Sequence, residues 1–282
     1  MSLHMIGIVI VLSLKGIVMI EISSKSNEKL KEILELSRSK KAREDKQVVL
    51  VDGVKLCLDA VYTGHSLMEL WVTESATNKY RQEYERLETV AQEIFVLKDH
   101  AAQRLSDLKT PQGIWGVFHR PDPVSLSEIA NMKRVLGVCC IQIPENIGAM
   151  LRSAAAFGFD GVIMSEDCAD IWSPRAIRAG ALSQMNLPYC FVGDFAESIH
   201  ELKNSGIHIY GTAINESANR LNEIRKEERV LLLIGNEGHG LPQEVIEQCE
   251  KCIYIPMSDK VESLNANAAA AVLLWEFSKY NI

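Results

Sequence analysis

Six short, nearly uninterrupted apolar runs organise the second half of the chain: VLGVCCIQI, GVIM, PYCF, IHIYGTA, RVLLLIG and CIYIP. Strands that are apolar at consecutive positions, rather than at alternate ones, must be covered on both faces. That demands a mostly parallel sheet packed between helices. Residues 147–158, SPRAIRAGAL, FAESIHELKNSG, LPQEVIEQC and SLNANAAAAVLLWEFSKY supply the helical stretches between and after them. Ligands of such sheets gather beyond the carboxyl ends of the strands. Three loops fall there: PENIG at 144–148, IGNEGHGL at 234–241 and IPMSDKVESLN at 255–265.

The first half reads as a smaller α/β unit. QVVLVDG, LMELWVT, EIFVL and GIWGVFH have strand character, and EKLKEILELSRSKKARED, VKLCLDAVYTG, KYRQEYERLETVAQ and HAAQRLSDL have helical spacing. Prolines in HRPDPVSLSEI mark a linker. The expected domains are therefore 23–121 and 122–282, preceded by an extension over 1–22. That extension, MSLHMIGIVIVLSLKGIVMIEI, is apolar apart from Lys15 and Glu21. MSL reads as a cloning remnant and the rest as an upstream stretch ahead of a natural start at Met19. It lacks the basic start and cleavage site of a signal peptide. Lys15 also interrupts the run of about 20 apolar residues that a spanning helix needs. No membrane partner is expected.

Seven cysteines scattered over 282 residues do not form a secreted disulfide framework; they fit a cytoplasmic protein. The pair in CEKC, Cys249 and Cys252, lacks the second pair or histidines that would complete a metal site, so no metal is expected. A net charge of −7 argues against a nucleic-acid partner, but the charge is unevenly spread. Residues 1–120 carry 17 Lys and Arg against 16 Asp and Glu, and the remainder 13 against 21. Arg38, Lys40, Lys41, Arg43 and Lys46 fall within nine residues. Such a run is either a solvated helix face or a phosphate-contacting patch.

The three loops hold the unusual residues. Asn146 is placed to cap a helix, and capping alone would account for it. Arg152 is harder to explain, because its helical neighbours are Gly148, Ala149, Ala155 and Ala156. A guanidinium ringed by small side chains leaves room above it for a ligand or another chain, and its five donors suit a phosphate. Glycines around Glu237 permit close backbone approach to a flat ligand. Ser263 is a natural helix cap, and Asn265 and Asn267 are odd choices at the head of an alanine-rich helix. Neither a G-x-G-x-x-G nor a G-x-x-x-x-G-K motif is present, which disfavours dinucleotide and triphosphate cradles.

N-I-G-x-x-x-R-x-A-x-x-F-G from Asn146, I-G-N-E-G-x-G-L from Ile234, and I-P-M-x-x-x-V-E-S-L-N from Ile255 occur in that order. Together they resemble the three motifs of the SpoU (TrmH-type) RNA ribose 2′-O-methyltransferases. LVDGVKL and TPQGIWGVF resemble that family's N-terminal RNA-binding module. The likeness spans about residues 26–282. It departs from the family at Asp52-Gly53, where Glu-Gly is commoner, and is weak over RAIRAGALSQMNLP. There Arg175 and Arg178 are expected only as RNA-backbone contacts.

The resemblance implies a SPOUT fold with a C-terminal trefoil knot, which general rules of chain connection would not suggest. It also implies a homodimer with its active site at the interface. S-adenosylmethionine would be bound by Gly235, Asn236, Glu237, Gly238, Ile255, Met257 and Leu264. A ribose 2′-hydroxyl would attack the sulfonium methyl in line, a reaction helped mainly by positioning and by a fixed cation. Arg152 would hold the adjoining phosphate, Asn146 and Asn265 the ribose or the arginine, Ser263 the hydroxyl or its loop, and Glu237 the pocket. The basic run Arg38–Lys46 would dock structured RNA, ribosomal RNA in first place and transfer RNA as runner-up. The remaining alternative is a catalytically silent RNA-binding protein of the same fold.

Overall fold

A computed structural model describes residues 8–12, 18–22, 24, 26–212, 218–224, 227–258, 260 and 264–278. The chain divides into two compact units, one made of Met1–Arg120 with Trp172–Arg178, the other of Pro121–Ile171 with Ala179–Ile282.

In the first unit the strands are β1 (Ile8–Leu12), β2 (Val18–Ile22), β3 (Val48–Asp52), β4 (Leu67–Thr73), β5 (Glu93–Leu97) and β6 (Ile114–His119). They form one mixed sheet in the order β1-β2-β5-β4-β6-β3. Its helices are α1 (Glu28–Arg38), α2 (Lys40–Lys46), α3 (Val54–Tyr62), α4 (Glu74–Lys79), α5 (Arg81–Glu88) and α6 (Asp99–Leu105). Trp71 stacks on Phe95 with ring centroids 4.3 Å apart, in a core shared with Trp115, Leu50, Ile33 and Ile22.

Two features differ from the expected pattern. The apolar N-terminal run is built into the sheet: β1 and β2 pair antiparallel, and β2 runs parallel to β5. A short apolar run fits a strand as readily as a flanking segment. The single helix expected over 28–45 is two helices joined at Ser39. The Ser39 amide donates to the Glu35 carbonyl and closes α1, while its hydroxyl accepts from the Ala42 amide and opens α2.

The second unit carries β7 (Arg134–Val138), β8 (Gly161–Ser165), β9 (Tyr189–Val192), β10 (His208–Thr212), β11 (Asn219–Arg220), β12 (Val230–Ile234) and β13 (Lys251–Tyr254). Their order is β11-β13-β10-β12-β7-β8-β9, and every pair is parallel. The remaining helices are α7 (Leu126–Ile129), α8 (Pro144–Ala156), α9 (Pro174–Gly180), whose residues up to Arg178 belong to the first unit, α10 (Ser183–Asn186), α11 (Phe195–Asn204), α12 (Gln243–Ile246) and α13 (Ala266–Glu276). Every residue of the central strand β12 is buried, as its sequence VLLLI requires. Helix α13 packs on α8, and Trp275 meets Phe157 edge to face at 5.6 Å.

All seven cysteines are free thiols. Burial pushes the thiols of Cys57, Cys139 and Cys168 up and that of Cys249 up to about 12, which leaves them inert apolar residues at neutral pH. Among the described residues no helix is long and apolar enough to cross a membrane, and no cluster of three His, Cys, Asp or Glu could hold a metal.

Candidate active site

The carboxyl ends of β7, β12 and β13 feed the three unusual loops. After β7 the chain enters α8 with Pro144 at its first turn, where a missing amide proton is no loss. The helix thus starts earlier than 147, and Asn146 lies inside its first turn rather than capping it. Its side chain, 9% exposed, is free to reach across the site. Asn146 Nδ2 donates to Glu237 Oε1 at 2.5 Å, and Asn146 Oδ1 accepts from Asn267 Nδ2 at 2.8 Å. Asn146 and Glu237 of the first two loops and Asn267 of the first turn of α13 therefore join in a continuous carboxylate–carboxamide–carboxamide chain.

The second loop is folded on itself. Asn236 and Gly240 exchange both backbone hydrogen bonds, 3.0 and 2.9 Å. Asn236 Oδ1 accepts from the amides of Gly238 and His239, and its Nδ2 donates to the Cys140 carbonyl at 2.8 Å. Asn236 thereby moors the loop to the end of β7. A side chain at Gly235 would lie 2.5 Å from the Leu241 amide nitrogen and closer still to the Gly240 carbonyl, so only glycine closes this turn.

Beside this loop lies a cleft of 460 Å³. All seven residues expected at the cofactor, Gly235, Asn236, Glu237, Gly238, Ile255, Met257 and Leu264, line it. Thr212, at the end of β10, and one face of α13 complete the wall. That face is Ala266, Ala269, Ala270 and Leu273, a spacing of three and four residues along a helix. This spacing was a usable signal in the sequence. Glu237 is the hinge of the arrangement, since it borders the cleft and holds Asn146.

The remaining expected site residues are placed differently. Asn265 is the cap of α13: its side chain accepts from the Asn267 amide at 2.9 Å, and the carboxamide that meets Asn146 is that of Asn267. Ser263 lies outside the described residues. Arg152 is exposed on α8 and makes no hydrogen bond or ion pair among the described residues. It stands about 9 Å further along the helix axis than Asn146 and about 120° around it. Asn146 and Arg152 therefore face different directions from one helix.

The basic run is not a uniform patch. Arg43 is 3% exposed and donates to the Leu36 carbonyl at 2.5 Å, because α2 turns that position inward; it holds the α1–α2 corner instead of standing on the surface with the rest of the run. Lys46 pairs with Glu32, and Lys40 with Glu44 at 3.8 Å. Arg38 and Lys41 are exposed. Arg175 and Arg178, expected at an RNA backbone, close on Asp107 at 3.0 and 2.6 Å, and Arg178 lies 3.5 Å from the buried Asp52.

Residues 133–275 match the SpoU rRNA Methylase family, and residues 27–116 match the MRM3-like substrate binding domain. The chain is 30% identical to the 23S rRNA (guanosine(2553)-2′-O)-methyltransferase RlmP of Bacillus subtilis, over 90% of this chain and 98% of the relative. The crystal structure of the SpoU methyltransferase AviRb from Streptomyces viridochromogenes in complex with AdoMet is 26% identical. It superposes with a TM-score of 0.75, over 89% of this chain and 96% of that one. An rRNA methyltransferase from Sinorhizobium meliloti, 22% identical, shares the fold with a TM-score of 0.79, over 94% and 99% of the two chains.

Proposed function

The chain belongs to the SpoU rRNA methylase family, and we propose on that premise how its own residues carry out methyl transfer to a ribose 2′-hydroxyl of ribosomal RNA. S-adenosylmethionine is the methyl donor. The observation that carries the assignment of roles is the chain Glu237–Asn146–Asn267 on the rim of a cleft lined by the second and third loops.

The cleft fits the cofactor. Its volume is that of a small-molecule site, its walls are largely apolar with Asn236, Glu237 and Thr212 as polar points, and Gly235 and Gly238 leave backbone groups open to a ligand. When bound, S-adenosylmethionine supplies an electrophilic methyl on a positively charged sulfur. Gly235, Gly238, Ile255, Met257 and Leu264 hold it, and Asn236 keeps their loop closed. Glu237 and Asn267 fix the carboxamide of Asn146 from both ends, so that it orients the ribose or its neighbours without rearrangement. Asn265 anchors the head of α13, and Ser263 supports the hydroxyl or the third loop. Arg152 binds the phosphate next to the target ribose and stabilises charge growing on the 2′-oxygen. As a permanent cation it does not serve as the base.

Arg152 faces away from Asn146, and this favours a site completed by a second copy of the chain. On α8 and α13, Ala155, Ala156, Val272 and Trp275 are exposed, the last two at 42% and 48%, and form an apolar face for a homodimer. In this reading residues 23–121 bind RNA and 122–282 carry the reaction as a SPOUT domain of the trefoil-knot type. The protein works in the cytoplasm, where its RNA substrate and free thiols both belong.

The test is transfer of a labelled methyl group to RNA from cells lacking this protein, followed by nucleoside analysis. A 2′-O-methylated nucleoside in ribosomal RNA is expected. Label on a base, or in transfer RNA alone, overturns the proposal. Sedimentation of the pure protein at twice the chain mass tests the dimer.

A further inference from the structure

We propose that a pocket in the first unit, separate from the cleft described above, seats a phosphodiester group of the RNA substrate. The inference rests on the protein being an RNA methyltransferase and adds where the RNA backbone is held. The pocket has a volume of 380 Å³ and lies between the α1–α2 corner, the end of α6 and the start of α9. Arg38, Arg43, Arg104 and Arg175 border it, against a single carboxylate, Asp107. Residues 1–120 hold a net charge of only +1, so this is a concentrated excess of positive charge.

The hydrogen-bonding state of each group decides what it can take. Asp107 is committed to Arg175 and Arg178 and is not available to a cation. Arg43 is used by the Leu36 carbonyl. Arg38 donates through Nη2 to the Arg104 carbonyl at 3.3 Å, which holds its guanidinium at the pocket with its other donors open. The Arg104 guanidinium makes no hydrogen bond or ion pair among the described residues. Ser173 Oγ accepts from the Ala176 amide, so its proton is available to donate. Charged donors are therefore in surplus, the one carboxylate is taken by Arg175 and Arg178, and the side-chain acceptor of Gln103 that remains is neutral. A phosphodiester, with several acceptor oxygens and one negative charge, matches that balance and fits the volume together with a ribose. Of the pocket's residues only Arg38 and the already committed Arg43 belong to the basic run read from the sequence. Arg104 and Ser173 come from elsewhere in the chain and meet it in the fold.

The full-length protein should be titrated with in-vitro transcribed large-subunit ribosomal RNA between 50 and 200 mM KCl. Wild type, Arg38→Gln/Arg104→Gln, Arg38→Lys/Arg104→Lys, and a control pair Lys79→Gln/Arg81→Gln outside the pocket should be compared. Loss of the one seated phosphate lowers the log–log salt slope by about 1, so wild type should lose roughly fourfold more affinity over that range than the double glutamine variant. The lysine variant should keep most of the slope, the control pair all of it, and thermal melting should be unchanged in all four. An unchanged slope in the double glutamine variant, or an equal loss in the control pair, overturns the phosphate seat. Failure of the wild type to methylate any RNA is a separate result and removes the function on which the seat rests.

Discussion

The side chains of Asn146 and Asn267 meet at 2.8 Å although 121 residues separate them. The direction of the bond is fixed by Glu237. A carboxylate can only accept, so Asn146 must present its amide nitrogen to Glu237 and its oxygen to Asn267. Replacing Asn267 with alanine leaves the Asn146 oxygen without that donor in a buried setting, at a cost of about 1–3 kcal/mol. Asn267→Ala is expected to melt a few degrees lower and to lose about tenfold or more in kcat/KM, because the Asn146 carboxamide is then held from one end only. Calorimetric titration should show S-adenosylmethionine binding changed by less than about twofold, a factor worth under 0.5 kcal/mol. Unchanged turnover would mean that the carboxamide chain is only a structural clasp.

Arg152 is exposed and unpaired among the described residues, so its removal should not disturb folding. Arg152→Ala should lower single-turnover methyl transfer by about 10²–10³, the usual effect of losing one preorganised donor at a developing oxyanion. The melting temperature and cofactor affinity should match wild type. Arg152→Lys should recover only part of the rate, because a point charge lacks the planar fork that grips a phosphate. Full activity in the alanine variant would move the cation's role elsewhere.

Gly235 is required by close approach rather than by an unusual backbone angle. Its missing side chain is what lets Asn236 and Gly240 pair. Gly235→Ala forces that bridge apart and releases the loop from the Cys140 carbonyl. Cofactor affinity should drop at least about tenfold, equivalent to 1.4 kcal/mol. Gly238→Ala is the contrast, since a side chain there would meet Asn236 Oδ1 at an ordinary 3.5 Å. Equal affinity in the two variants would show that loop closure is not what shapes the cleft.

The parallel sheet was legible because runs such as VLLLI and GVIMS can be satisfied only by cover on both faces, and the strands lie where those runs predicted. The two glycine- and asparagine-rich loops were legible from composition alone. What escaped was decided by tertiary placement. Whether Asn265 or Asn267 faces Asn146 depends on where α13 begins, and Asn265 turned out to be its cap. Arg43 and Lys41 sit two residues apart in one basic run, yet α2 buries the first and exposes the second. The apolar N-terminal run carries no mark that distinguishes a strand of this sheet from a flanking segment until β5 is there to pair with it.

Two carboxylates in the first unit should respond to pH with opposite signs. Burial raises the pKa of Asp52 above its ordinary value, despite the Ser106 hydroxyl and the nearby Arg178 guanidinium. The folded protein therefore holds this proton more tightly than the unfolded chain, and Asp52 costs stability as pH rises above about 4. For Asp107 burial acts in the same direction but is outweighed by Arg175 and Arg178, which hold its carboxyl below the usual range. Its contribution is complete above about pH 4 and is lost as pH falls through the lower, folded value. Thermal melting from pH 3 to 8 should separate them. Asp107→Asn should melt below wild type at neutral pH, with the gap closing in acid. Asp52→Asn, which keeps an acceptor for Ser106, should melt at or above wild type at neutral pH and converge with it in acid. If both variants shift in the same direction at pH 7, the two acids act as one structural unit and the burial of Asp52 is not its dominant energetic feature.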